Sequence, residues 1–124
     1  MYLAALVIPV PEENFSAYQD WAKMSAAIFK RYGCLEVQDG WDDLVSRGKH
    51  TDMYRAVAAK DNEKIAISIQ IWPDRDTFFA SEEKMHEDGA LDYEGEPPFD
   101  PARLIHGCFH SLFEMPAAQA GKPT

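Results

Sequence analysis

The amino-acid sequence predicts an α+β domain of ferredoxin-like plan, βαββαβ with an extra strand-like segment in the middle, whose antiparallel sheet carries two helices on one face. Three observations lead there. Strand-like runs alternate with stretches whose apolar residues recur at helical spacing. Breakers such as Pro9, Gly33, Pro73 and Gly89 separate the runs. One face of such a sheet is left bare, so its apolar residues call for a homodimer in which two sheets meet, a dimeric α+β barrel.

The first element, residues 2–8, is apolar on both faces and ends at Pro9, as a central strand does. "PEENFSAYQDWAKMSAAIFKRYG" is the most clearly helical stretch. Phe15, Tyr18, Ala22, Ser25, Phe29 and Tyr32 share one face, Glu12 and Glu13 suit the positive end, and Lys30 and Arg31 suit the last turn. Gly33 supplies the left-handed stop. Trp21, Met24 and Ile28 widen the apolar arc beyond what one sheet would cover.

"CLEVQDGWDD" is a second strand from Cys34 to about Trp41, followed by the loop "LVSRGKHTD". "MYRAVAA" and "KIAISIQIWP" follow as two extended runs around the turn "KDNE". In the second run Ile65, Ile67, Ile69 and Ile71 alternate with Ala66, Ser68, Gln70 and Trp72, so the two faces meet different environments. The isoleucines are assigned to the helices and the other row to the opposite face. Asp74 or Asp76 then caps the helix "DTFFASEEKMHED".

"GALDYEGEPPFDPA" is a long proline-containing loop, either functional or packed through Tyr93 and Phe99 on a neighbouring subunit. "RLIHGCFHSLF" is the final strand. Residues 1–115 thus form one domain, and residues 116–124 form a loose tail.

Composition narrows the function classes. The chain has 124 residues, 46% hydrophobic and 27% charged, the make-up of one soluble globular domain. A net charge of −9 argues against nucleic acid and anionic membrane surfaces, both of which need clustered Lys and Arg. "MYLAALVIPVP" lacks the basic start of a signal peptide, and no apolar run approaches a membrane span. Cys34 and Cys108, without CxxC spacing, fit free thiols in a reducing cytoplasm.

The final strand carries the candidate chemistry. His106, Cys108 and His110 stand two apart, which puts the histidines roughly 13 Å apart along a regular strand, too far to share one zinc ion whose ligands lie about 2 Å away. No metal and no cofactor are expected. With the isoleucines turned to the helices, these three residues share the inter-sheet face with Ser68, Gln70 and Trp72, forming either a hydrogen-bonded interface or a ligand cavity. Ser68, Gln70, Trp72, Cys108 and Trp41 are the ligand-binding candidates; no catalytic residue is assigned, and His106 and His110 are the candidates for proton exchange if the face is a cavity. In "SRGKHTD", Arg47, Lys49 and Thr51 form either a small-anion site or a solvated turn, without P-loop spacing.

"GWDDLVSRGKHTDMYRAVAAKDNEKIAISIQIWPDRD", with "EKMHED" and "PFDPARLIHGCF", resembles the YbaA-like family of bacterial proteins, a domain of unknown function. The matched positions include Trp41, Asp42, Gly48, Lys49, Thr51, Asp52, Trp72, Pro73, Met85, Phe99, Asp100, Arg103, Gly107 and Phe109. The resemblance implies a dimeric α+β barrel and a small cytoplasmic homodimer, and carries over no catalytic role. Where such proteins read I-Y-G-G-F-E, this chain reads I-H-G-C-F-H. The expected function is a homodimeric small-molecule-binding protein, with a cofactor-independent enzyme as one form of it. The alternative is a non-catalytic dimeric structural or protein-interaction module.

Overall fold

The computed structural model describes residues 1–92 and 95–115. Its elements are β1 (Tyr2–Pro11), a single 3-10 turn (Glu12–Asn14), α1 (Phe15–Arg31), β2 (Glu36–Trp41), α2 (Met53–Ala56), β3 (Glu63–Trp72), α3 (Arg75–Glu87) and β4 (Ile105–His110). The four strands form one antiparallel sheet in the order β2-β3-β1-β4, with α1 and α3 on one face, the ferredoxin-like arrangement. β1 runs past Pro9 to Pro11, but its pairing with β4 ends at Val7. Both prolines therefore sit where β3 is the sole neighbour, a place where a strand tolerates a missing N–H.

The register decides which residues face the helices, because residues directly opposite in an antiparallel pair share a face. Tyr2 lies opposite Trp72 and His110, Ala4 opposite Gln70 and Cys108, and Leu6 opposite Ser68 and His106. These rows pack under α1 and α3: Ala4, Ala66 and Trp72 are fully buried, against Ile28, Phe78 and Met85 from the helices in one cluster and Tyr18 and Ala22 in the other. The face assignment made from sequence is thus inverted. Ser68, Gln70, Trp72, His106 and Cys108 face the helix layer, not an inter-sheet space. Ile67 and Ile69 are 36% and 39% exposed on the open face, with Ile105 and Phe109. Strict alternation shows that two faces differ without saying which one the helices take. Here the small side chains of Ala4, Ala66 and Ser68 leave room for helices, and the bulky row faces outward.

A second correction concerns the extra strand. "MYRAVAA" begins with the four-residue helix α2, whose N-cap Asp52 accepts the Arg55 N–H at 2.8 Å. A short apolar run has no periodicity long enough to separate helix from strand, and the capping aspartate decides it. Asp74 caps α3 in the same manner, through the Thr77 N–H at 2.7 Å.

The loop before β4 is fastened to its own chain. Phe99 is 7% exposed and packs against Tyr18 and Trp21, with ring centroids 6.2 and 4.9 Å away, so it does not await a neighbouring subunit. Asn14 donates to the Pro98 carbonyl at 3.0 Å. Arg103 grips Glu63 through two 2.6 Å bonds, Asp100 at 2.9 Å and the Ala58 carbonyl at 3.0 Å. Tyr93 and the expected tail at 116–124 lie outside the described residues. No helix among the described residues is long and apolar enough to cross a membrane.

Candidate functional site

The core divides into two clusters. One joins Tyr2, Ala4, Cys34, Trp72, Phe78 and Met85, and the other joins Ile8, Val10, Tyr18, Ala66 and Phe99. A cleft of about 430 Å³ takes walls from both. Leu6, Gln70 and His106 come from the sheet, Trp21 and Phe29 from α1, Phe78, Glu82 and Met85 from α3, and Phe99, Pro101 and Leu104 from the loop before β4. Each element delivers its residues for a local reason. The spacing Phe78, Glu82, Met85 is one face of a helix, and pairing of β4 with β1 sets His106 beside Leu6.

The polar equipment of the cleft is sparse. Gln70 is buried, and its side-chain oxygen accepts the Trp72 indole N–H at 2.9 Å, so the group it offers a ligand is its amide NH₂. His106 is exposed at the mouth, with Nε2 3.7 Å from the Cys108 Sγ. Burial chiefly, and then the charge of Glu82, push the Cys108 thiol above its ordinary pKa. It therefore remains a protonated thiol near neutral pH and a poor nucleophile. A smaller void of about 40 Å³ shares Leu6, Trp21, Phe29 and Gln70 with the cleft, and adds Ser68 and Asp39.

The predicted site residues separate into four places. Gln70 and His106 meet in the cleft, with Ser68 and Cys108 beside it. Trp72 is a fully buried core residue, and His110 packs edge-on against Tyr2, 5.5 Å between centroids. Trp41 lines another pocket, beyond α1, and also borders the depression after β2. The fourth place is the loop after β2. Arg47 stacks on the Tyr54 ring at 3.9 Å, Lys49 is exposed, and Thr51 borders a depression of about 600 Å³ on the open face. That depression is lined by Asp42, Asp43 and Asp52 and not by Arg47 or Lys49, so the structure does not gather the three residues of the anion reading around one space. Among the described residues no group of three or more His, Cys, Asp or Glu stands together to hold a metal. Sequence reading missed Trp21, Phe29, Phe78, Glu82 and Phe99 as cleft residues. The signal for Phe78 and Glu82 was their helical spacing with Met85.

Fold and cleft together define a ferredoxin-like α+β protein with a mostly apolar recess between sheet and helices. The chain matches the family described as a protein of unknown function (DUF1428) over residues 1–101, and it belongs to that family. It is 34% identical over 114 residues to the uncharacterized protein YbaA of Escherichia coli strain K12, covering 91% of this chain and 97% of that one. The YbaA protein of Shigella flexneri matches to the same extent. Among solved structures, an MhuD mutant with two manganese protoporphyrin IX bound per active site superimposes with a TM-score of 0.61 at 14% identity, over 94% of this chain and all of that one. At that identity the likeness establishes the fold.

Proposed function

We propose that this chain is a homodimeric, cytoplasmic binding protein for a small apolar molecule, held in the cleft between sheet and helices with His106 at its mouth. The observation that carries the reading is the lining itself. Aromatic and aliphatic walls line a ligand-sized space in which, among the described residues, Gln70, Glu82 and His106 are the polar side chains. A few convergent polar groups in an apolar recess are the usual make-up of a small-molecule site. The MhuD mutant, of the same fold, carries two manganese protoporphyrin IX per active site, which supports small-molecule binding as a use of this architecture. An imidazole beside a carboxylate-bearing wall suits proton transfer on a bound carbonyl or aromatic compound without a cofactor.

The open face supports the dimer. Ile67 and Ile69 on β3 and Ile105 and Phe109 on β4 lie exposed on either side of β1, and a second sheet of the same composition covers such a surface self-complementarily. Native mass spectrometry of untagged protein tests both parts, reading dimer mass and any retained occupant. Saturation-transfer NMR against a library of small aromatic and carbonyl compounds follows. Binding is expected in the wild type, lost in Leu104→Trp, which fills the cleft, and altered in His106→Gln without loss of dimer. A monomer at micromolar concentration overturns the homodimer. Ligands indifferent to Leu104→Trp overturn the cleft, and a dimer that binds nothing favours the non-catalytic module.

A further inference from the structure

A second pocket, of about 340 Å³, opens between α1 and the end of β2, on the outer side of α1's sheet contact. Three aromatic rings and one carboxylate meet there: Phe15 and Tyr18 from successive turns of α1, Trp41 at the end of β2, and Asp39 two residues earlier on the same face of that strand. Phe15 and Trp41 stand edge to face with centroids 4.9 Å apart, and Tyr18 lies 6.0 Å from Trp41. Tyr18 is 4% exposed and donates its hydroxyl to Asp39 Oδ1 at 3.1 Å. Burial, and then the Asp39 charge, drive the Tyr18 phenol well above its ordinary pKa, so it is a neutral donor that orients the carboxylate. Among the described residues Asp39 has no ion-pair partner.

We propose that this pocket is an aromatic cage for a small organic cation, of the quaternary or methylated ammonium class. A ring face attracts a cation through its quadrupole, and several rings around one carboxylate select a soft, weakly hydrated cation over a metal ion. Three features of the chain favour that occupant. The rings are not already used by the chain's own cations: among the described residues Arg47 stacks on Tyr54 and Arg75 on Phe79, both elsewhere. Lys23 borders the pocket, yet makes no ion pair with Asp39. The net charge of −9 draws cations toward the surface at large. The pocket is separate from the sheet-helix cleft, and Asp39 borders the small void that shares Leu6, Trp21, Phe29 and Gln70 with that cleft, so occupancy of one is placed to affect the other.

The test is a titration of the full chain with choline, against 3,3-dimethylbutan-1-ol, which has the same shape and no charge, followed by the Trp41 indole N–H resonance. Choline is expected to saturate, with the neutral isostere about tenfold weaker, which corresponds to about 1.4 kcal/mol. Asp39→Asn keeps an acceptor for Tyr18 and is expected to weaken choline about threefold, the modest value of a partly solvated charge. Trp41→Phe and Trp41→Leu lack that resonance and are read instead by saturation transfer to the choline methyl protons, where Trp41→Phe retains binding and Trp41→Leu loses it. Equal binding of choline and its isostere overturns the cation assignment. No saturable shift of Trp41 at tens of millimolar choline overturns the site. The isostere and Asp39→Asn arms need no loss of packing, so they decide the question even where Trp41→Leu fails to fold.

Discussion

Replacing Arg103 by alanine should cost far more than a surface ion pair would, because of what it leaves behind. The Glu63 side chain is 2% exposed and accepts two 2.6 Å bonds from the guanidinium, with one further bond from the Lys60 N–H at 2.7 Å. Arg103→Ala strands that carboxylate with a single backbone donor. Removing one partner of a buried pair costs about 3–5 kcal/mol, and the 19% exposure of Arg103 argues for the lower end, about 3 kcal/mol. For a domain of this size that is about 10–15 °C in Tm. The pH dependence gives a second handle. Arg103's hydrogen bonds, ahead of the Lys60 N–H, hold the Glu63 carboxyl below its ordinary pKa of 4.5. A group lowered on folding contributes stability that is fully present above that ordinary value and is lost as pH falls through its folded value. The gap between wild type and variant should therefore be widest near pH 7 and close on acidification below about 4.5, since a protonated Glu63 no longer needs the guanidinium. Calorimetric melts of both proteins from pH 7 downward check this. A neutral-pH difference under about 3 °C, or a gap that widens in acid, refutes the reasoning. A Glu63→Leu/Arg103→Met double variant should be more stable than Arg103→Ala.

Phe99→Ala should lower stability by about 3 kcal/mol in urea titration, because it removes a buried ring from between Tyr18 and Trp21, and it should also expose the loop before β4 to limited proteolysis. Gly48→Ala should cost about 1–3 kcal/mol in a thermal melt, since its Cβ would fall 1.9 Å from the Thr51 carbonyl oxygen and force the loop open. Near-UV dichroism of Tyr54 should change in that variant as Arg47 leaves its ring. Ile69→Lys places a charge at the centre of the open face and should shift sedimentation equilibrium toward monomer with the far-UV spectrum unchanged.

The strands and long helices were readable from local pattern because each carries its own signal: Pro73 and Asp74 close β3 and start α3, and Gly33, with φ 106°, ends α1. The cleft was less readable. The row of isoleucines is the most hydrophobic stripe in the chain, and hydrophobicity alone sends it to the helices. The structure sends it outward and puts Ser68 and Gln70 under α1, an outcome that depends on how closely two layers approach and not on any residue's transfer free energy. Phe99 illustrates a second limit. Nothing in a proline-rich loop announces that its aromatic residue will turn back across about eighty positions to cover Trp21. The surroundings of the two histidines required the register of β4 on β1, which is a long-range property.

That register also sets a timetable. β1 is a central strand, yet Tyr2 waits for Trp72 on one side and for His110 on the other. At a synthesis rate of about 5–20 residues per second, the last partner emerges roughly 5–20 s after the first strand. Until then Leu3, Leu6 and Val7 form an apolar edge that is unpaired on the β4 side, the kind of segment that pairs with other chains. Pro9 and Pro11, which interrupt backbone donors along that strand, therefore serve the unfinished chain as well as the finished sheet, by limiting the length over which a stray strand can add.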